Sequence, residues 1–232
     1  MITRIKVCGL RHEQDIALCV EEGVNALGFV VEYPVPTPWD LTRERAAALM
    51  RIVPPFVSRV AVVGGDADSI MAICAATRPD SVQLHYDESE ETVAELKARL
   101  ADTGITIIRA LRIPIAGSRT AAAGDESLPR WEAVARRFRD AGADAILLDS
   151  RTDDSPAATG KPFDWRIAER VSAAVSPVIL AGGLKPENVG GAIAAVRPHA
   201  VDVLTAMEDA QHRKLRDRVR AFVRAVRETD TV

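Results

Sequence analysis

The chain has 232 residues, of which 47% are hydrophobic, 27% are charged and only 4% are aromatic, and its formal net charge at pH 7 is −3. This composition is typical of a soluble globular protein whose core is built mainly of Ala, Val, Leu and Ile. The net negative charge, with no basic stripe before the last predicted helix, argues against a nucleic-acid-binding protein.

The termini, cysteines and histidines narrow the class of protein further. No apolar stretch approaches the ~20 residues that a membrane-spanning helix needs. The segment Met1–Lys6 carries two cations where a secretory signal would be apolar. The three cysteines have no C-x-x-C spacing, and no cluster of Cys and His has the spacing of metal ligands. We therefore expect a cytoplasmic protein with reduced cysteines, no metal, no cofactor, and no membrane or nucleic-acid partner.

Short runs rich in Val, Ile and Leu alternate along the chain with longer stretches of helical periodicity. The predicted strands are Ile2–Val7, Ala26–Val31, Val57–Val63, Ser81–Leu84, Ile105–Ala110, Ala145–Leu148, Val178–Ala181 and Val201–Leu204. The predicted helices are His12–Glu22, Thr42–Ile52, Asp66–Ala76, Glu90–Ala101, Pro129–Ala141, Asp164–Ala174, Pro186–Val196 and His212–Arg227. Thr42 and Ser89 are predicted N-caps, and Gly23, Gly104 and Gly142 are predicted to follow helix ends.

The predicted strands are almost entirely apolar, which indicates burial on both faces and hence a parallel sheet. Eight strand–helix pairs occupy the whole chain, which predicts one α/β domain over residues 1–232, a (β/α)8 TIM barrel. An open, doubly wound sheet is the alternative architecture. Two loops interrupt the alternation, a proline-rich one at residues 32–40 and a long one at residues 113–128. Both are expected on the side of the barrel where the strands end.

Polar and reactive residues fall at the ends of the apolar runs. They form the segments Lys6–Gly9, Gln83–His85, Leu147–Asp149, Ala181–Gly183 and Asp202–Thr205. In a parallel barrel the C-terminal strand ends meet at one mouth, where barrel enzymes carry out their chemistry. Cys8 and Asp149 at this mouth point to a base and an acid. Lys6 lies two residues before Cys8 and points to the same side of the strand, so we expect its ammonium to lower the pKa of the thiol.

Together these segments resemble the phosphoribosylanthranilate isomerase family of tryptophan biosynthesis. The resemblance runs from Ile5 to about Glu208 and includes Lys6-Val7-Cys8-Gly9-Leu10, Gln83-Leu84-His85 and Ala181-Gly182-Gly183-Leu184. The family opens an amino-aldose ring and moves a proton, giving an amino-ketose in an Amadori rearrangement. The resemblance implies that Cys8 is the general base that takes the proton from C2 of the sugar. It implies that Asp149 is the general acid that protonates the ring oxygen.

The resemblance also implies which residues bind the substrate, with His85, Asp202 and Gly183 holding the sugar phosphate. The full predicted set is Lys6, Trp39, His85, Arg112, Gly182, Gly183, Asp202 and Thr205.

The sequence departs from the family pattern where the aromatic ring would bind. The family has an arginine that receives the carboxylate of anthranilate, and this chain has Trp39, in Thr37-Pro38-Trp39. Arg43 and Arg112 are candidate replacements for that cation. Trp39 is expected either to stack on a flat ring or to pack under its loop.

Further departures surround the phosphate loop and the mouth. Leu204 replaces a hydroxyl residue of the family's phosphate loop, and Ala206 replaces its glycine. If that position needs a positive φ, alanine costs roughly 1–2 kcal/mol. The segment 157–160 keeps part of a glycine-rich pattern, and Tyr86, in place of a glycine, is expected to crowd the mouth.

Three hypotheses follow. The first is an aldose–ketose isomerase acting on N-(5-phosphoribosyl)anthranilate. The second is a paralogue that uses the same acid and base on another, unphosphorylated aromatic or amine substrate. The third is a non-catalytic binding barrel. In each case the partner is a small molecule, and the chain is expected to be a monomer or a homodimer.

Overall fold

Eight parallel strands close into a barrel in the computed structural model, which describes residues 2–115, 128–151 and 160–230. The strands are β1 (Arg4–Val7), β2 (Ala26–Val31), β3 (Ser58–Val63), β4 (Ser81–Leu84), β5 (Thr106–Pro114), β6 (Ala145–Arg151), β7 (Val178–Leu180) and β8 (Ala200–Val203). Strand β1 pairs with β2 on one side and with β8 on the other. This closure confirms the predicted barrel and excludes the open sheet. A two-residue strand, Asp40–Leu41, extends β2 at the mouth.

Helices follow the strands in the predicted order. They are α1 (Glu13–Glu21), α2 (Arg43–Arg51), α3 (Ala67–Thr77), α4 (Glu90–Arg99), α5 (Leu128–Asp140), α6 (Trp165–Ala174), α7 (Pro186–Val196) and α8 (Arg216–Asp230). The side chains of Thr42 and Ser89 accept the expected N-cap hydrogen bonds. Gly23, Gly104 and Gly142 all have positive φ. No helix among the described residues is long and apolar enough to cross a membrane.

Several boundaries differ from the sequence predictions. Strands β5 and β6 run on to Pro114 and Arg151, because their pairing continues through the polar pair Arg112 and Asp149 after the apolar pattern has ended. Helix α8 begins at Arg216 instead of His212. His212 has a φ of 61°, which a helix cannot contain.

The apolar core has an outer shell between strands and helices and a small inner cluster inside the barrel. The inner cluster consists of Val60, Ile108, Ala110, Ala145, Leu147, Ile179, Ala181 and Ala200. Side chains alternate along each strand, so the inward positions that follow Leu147 and Ala200 are Asp149 and Asp202. The interior therefore becomes polar near the strand ends. The low aromatic content suits an interior too narrow for large rings.

The inner cluster supplies a test of the fold. Leu147 is fully buried inside the barrel, so we expect Leu147→Ala to lower the free energy of unfolding by about 2–5 kcal/mol. Urea denaturation measures this change. Ile2→Ala is the control, because that side chain is 71% exposed. A loss below about 1 kcal/mol for Leu147→Ala would contradict a close-packed interior.

Candidate active site

The mouth of the barrel holds a cleft of about 480 Å³ at the C-terminal ends of the strands. Its floor is polar and includes Cys8 directly after β1, His85 after β4, Asp149 from β6 and Asp202 from β8. One side is an apolar wall, formed by Val30, Tyr33, Val35, Pro36, Trp39 and Leu204. The proline-rich loop thus lies at the mouth as predicted, while most of loop 113–128 lies outside the described residues.

The thiol of Cys8 lies beside a buried ion pair. Lys6 Nζ is 2.6 Å from Asp202 Oδ2, and both side chains are buried. A Cβ at Gly28 would lie 2.6 Å from Cys8 Sγ and 3.0 Å from Lys6 Nζ. Because glycine has no Cβ, the thiol and the ammonium can approach each other in this space. The structure therefore brings Lys6, Cys8 and Asp202 together.

Burial raises the pKa of the Cys8 thiol above its usual value, although the nearby charge of Lys6 acts to lower it. The charge of Lys6 lowers the thiol pKa, as expected. The pKa is nevertheless raised overall, because burial has the larger effect. Burial of Lys6 opposes its charge, but Asp202 and Cys8 together raise the pKa of the ammonium above its usual value. Lys6 therefore stays charged beside the thiol.

The carboxyl of Asp149 faces a histidine that is itself held by a buried amide. Asp149 Oδ2 lies 3.3 Å from His85 Nε2, and Asp149 Oδ1 accepts the Ser150 N–H at 2.7 Å. The Gln83 amide nitrogen lies 2.8 Å from His85 Nδ1. This contact orients the imidazole with Nε2 towards Asp149.

Gln83 belongs to the cleft, and the sequence analysis did not select it. The signal was present, since Gln83 precedes His85 by two residues and so points to the same side. Three atoms of the floor have no hydrogen-bond partner among the described residues, namely Gln83 Oε1, His85 Nε2 and Asp202 Oδ1. Buried polar atoms rarely stay unpaired, so this floor suits a ligand with several hydroxyl groups.

The other end of the cleft is built by glycines and a short turn. Gly182 and Gly183 have φ of 84° and 63°. A Cβ at Gly183 would lie 2.3 Å from the backbone of Lys161, so only glycine fits. Thr205 lines the cleft beside them and begins a 3-10 helix, Thr205–Met207. Ala206 lies in that helix without a positive φ, so the strain considered from the sequence does not arise.

Two predicted cations do not line the cleft. The Arg43 guanidinium is paired with Glu32, with Nε 2.8 Å from the carboxylate. Arg112, a predicted substrate-binding residue, reaches the end of β5 but pairs with Asp87 and donates to the Tyr86 carbonyl. The role of Arg112 in substrate binding stays a prediction.

Tyr86 also lies outside the lining residues, so it does not crowd the mouth. Its ring packs edge-on against Tyr33, with centroids 6.0 Å apart, and lies next to Arg112. Tyr33 lines the cleft in its place, and its hydroxyl donates to the His85 carbonyl at 2.7 Å. Residues 157–159 lie outside the described part of the chain.

Trp39 lines the cleft, and stacking on a flat ring and packing under its loop both stay predictions. Its Nε1–H donates to Glu208, at 3.1 Å from Oε2. Glu208 also binds Lys214 Nζ at 2.9 Å and His212 Nδ1 at 2.9 Å. We call these four side chains the Glu208 network. Sequence reasoning missed it, because its members come from two separate loops.

The remaining cysteines are packing residues, as predicted. Cys19 and Cys74 lie in the outer apolar shell, and burial raises their pKa values to about 12 and about 11. Among the described residues, no group of three His, Cys, Asp or Glu side chains has the geometry to hold a metal ion.

Comparisons with known proteins agree with this geometry. A family model described as N-(5'phosphoribosyl)anthranilate (PRA) isomerase matches residues 5–225. The chain is 37% identical over 226 residues to N-(5'-phosphoribosyl)anthranilate isomerase from Natronomonas pharaonis, covering 97% of this chain and 98% of the relative.

Solved structures of similar proteins show the same fold. One is a phosphoribosyl anthranilate isomerase in complex with reduced 1-(o-carboxyphenylamino)-1-deoxyribulose 5-phosphate, with TM-score 0.74, 28% identity and coverage of 97% and 99% of the two chains. Another structure contains monomers generated from the dimeric phosphoribosylanthranilate isomerase of Thermotoga maritima. Its TM-score is 0.75, and the match has 27% identity and covers 97% of this chain and 99% of the other.

The environment of Cys8 generates a testable titration. We measure the rate of Cys8 alkylation by iodoacetamide as a function of pH, using mass spectrometry. We expect the rate to reach half its maximum at a pH above ~8.5, the pKa of a free thiol. Lys6→Met removes the charge that lowers the thiol pKa, so the midpoint should move higher still.

Lys97→Met is the control for this titration, because Lys97 is paired with Asp144 outside the cleft. A Lys6→Met profile that coincides with that of the wild type would contradict the role given to Lys6.

Proposed function

The chain belongs to the N-(5'-phosphoribosyl)anthranilate isomerase family, and we propose that Cys8 and Asp149 perform its reaction as base and acid. The observation that carries this assignment is the cleft floor, where a thiol beside a charged lysine and a carboxyl beside a histidine face the same space. The similarity favours this activity over the paralogue and the binding barrel considered from the sequence.

The reaction begins at the ring oxygen of the aminoribose. Asp149 donates a proton to that oxygen, the C1–O bond breaks, and the lone pair of the amine forms a C1=N double bond. His85 places Nε2 3.3 Å from the Asp149 carboxyl and orients it towards the substrate. Gln83 fixes the ring of His85 in turn, so it is a positioning residue for the acid.

The second step takes place at C2. The Cys8 thiolate removes the C2 proton, and the electron pair moves to give an enolamine. Protonation at C1 and loss of the O2 proton then yield the ketose, so the isomerisation needs no external oxidant or reductant. Lys6 stabilises the thiolate against the cost of burial, and Asp202 keeps Lys6 in place.

Substrate binding uses both ends of the cleft. The unpaired atoms of Gln83, His85 and Asp202 suit the sugar hydroxyls. The phosphate lies at Gly182, Gly183 and Thr205. The two glycines let it approach the backbone closely, and Thr205 supplies a hydroxyl.

The cellular setting and assembly also stay proposals. Three free, buried cysteines support the cytoplasmic location inferred from the sequence. The relative from Thermotoga maritima is described as dimeric, which supports the homodimer among the two assemblies expected for this chain.

The acid–base assignment predicts the effect of two substitutions. Cys8→Ser and Asp149→Asn each remove a proton-transfer group, so we expect kcat to fall about 10²–10⁴-fold. The assay follows loss of fluorescence of phosphoribosylanthranilate made in place from anthranilate and phosphoribosyl pyrophosphate.

Cys74→Ser is the matched control, since Cys74 lies in the outer shell, and it should retain turnover. A Cys8→Ser enzyme with wild-type kcat would remove the thiol from the mechanism.

A further inference from the structure

The apolar wall surrounds the place where the aryl ring of the substrate has to lie. Cys8 belongs to the same apolar cluster as Val30 and Val62, with Tyr33, Trp39 and Leu204 packed against it. The amine nitrogen is bonded to C1, next to the C2 from which Cys8 takes a proton. An aryl ring on that nitrogen therefore lies close to Sγ, against these side chains.

Trp39 shows only carbon to the cleft. Its one polar group donates to Glu208, which lies behind the indole and is 6% exposed. A Cβ at Gly9 would lie 2.8 Å from Trp39 Cδ1, so the ring rests directly on the backbone of that glycine. His212 contacts the indole edge-on, with centroids 5.2 Å apart. These three contacts fix the indole before any ligand binds.

The electrostatics of this region do not favour an anion on the aryl ring. None of the described residues that line the cleft is a lysine or an arginine. Arg43 and Arg112 are paired with Glu32 and Asp87. Glu208 places a buried carboxylate behind Trp39. Among the described residues that line the cleft, a carboxylate that leaves water here finds no cation to bind in return.

We propose that the enzyme binds the aryl ring through apolar contact alone, with Trp39 as the specificity-determining residue. It therefore also isomerises N-(5-phosphoribosyl)arylamines that lack the ortho carboxylate. The inference rests on the proposed function, since the same acid and base act on both kinds of substrate. The bonds formed and broken are identical, because the carboxylate takes no part in ring opening or proton transfer.

The test compares kcat/KM for N-(5-phosphoribosyl)anthranilate and N-(5-phosphoribosyl)aniline, with both products quantified by chromatography. We expect the two values to agree within about tenfold. A charged hydrogen bond to the carboxylate would favour anthranilate by about 10- to 150-fold, so a preference above tenfold overturns the inference while leaving the isomerase intact. Turnover of neither substrate overturns the proposed function and this inference with it.

Two variants locate the specificity at Trp39. Trp39→Arg supplies a guanidinium at the wall and should shift the ratio towards anthranilate by tenfold or more. Trp39→Phe is the matched control, because it keeps an aromatic wall and loses only the hydrogen bond to Glu208. Its ratio should equal that of the wild type. A ratio that stays constant in Trp39→Arg, or that shifts equally in both variants, removes Trp39 as the determinant.

Discussion

The ion pair between Lys6 and Asp202 is the interaction on which the cleft depends. Taking two charges out of water costs several kcal/mol per ion, and the cost is offset only when the charges meet at close range. They meet at 2.6 Å because Lys6 and Asp202 are register partners where β1 pairs with β8, the seam at which the barrel closes. A slip of one residue would turn both side chains to the helix side. The register that closes the barrel is thus the same register that places the ammonium of Lys6 beside Asp202.

The same pair separates the roles of two carboxyls that share the floor. Asp202 is committed to the ammonium of Lys6, next to the thiol. Asp149, on strand β6, faces the imidazole of His85 instead. In the proposed mechanism, one carboxyl therefore supports the base and the other is the acid. Gly28 completes the arrangement by its lack of a side chain, since any Cβ would occupy the space between Sγ and Nζ.

The architecture and the residues of the cleft floor follow from local pattern in this chain. Apolar runs predicted all eight barrel strands, and their polar ends identified Cys8, His85, Asp149 and Asp202, because alternation along a strand decides which side a residue faces. The net pKa of Cys8 was not predictable, since burial outweighs the neighbouring charge and burial is a property of the folded chain. The pairing of Arg112 with Asp87 was not predictable for a related reason, because Asp87 lies in a different loop and no spacing in the sequence reveals the contact. The contacts of Glu208 with Trp39, His212 and Lys214 were likewise not predictable, because they join residues of separate loops.

Glu208 joins parts of the chain that are far apart in sequence. It holds Trp39 from the loop after β2 and two side chains, from His212 and Lys214, that precede α8. Barrel enzymes are often regarded as scaffolds whose loops can be exchanged one at a time. Here residues 32–40 and 205–214 depend on each other. A graft that replaces the first segment alone leaves Glu208 without the indole of Trp39, and it leaves the apolar wall without the hydrogen bond that holds this side chain. New aromatic preferences in this protein therefore have to be acquired by two loops in concert.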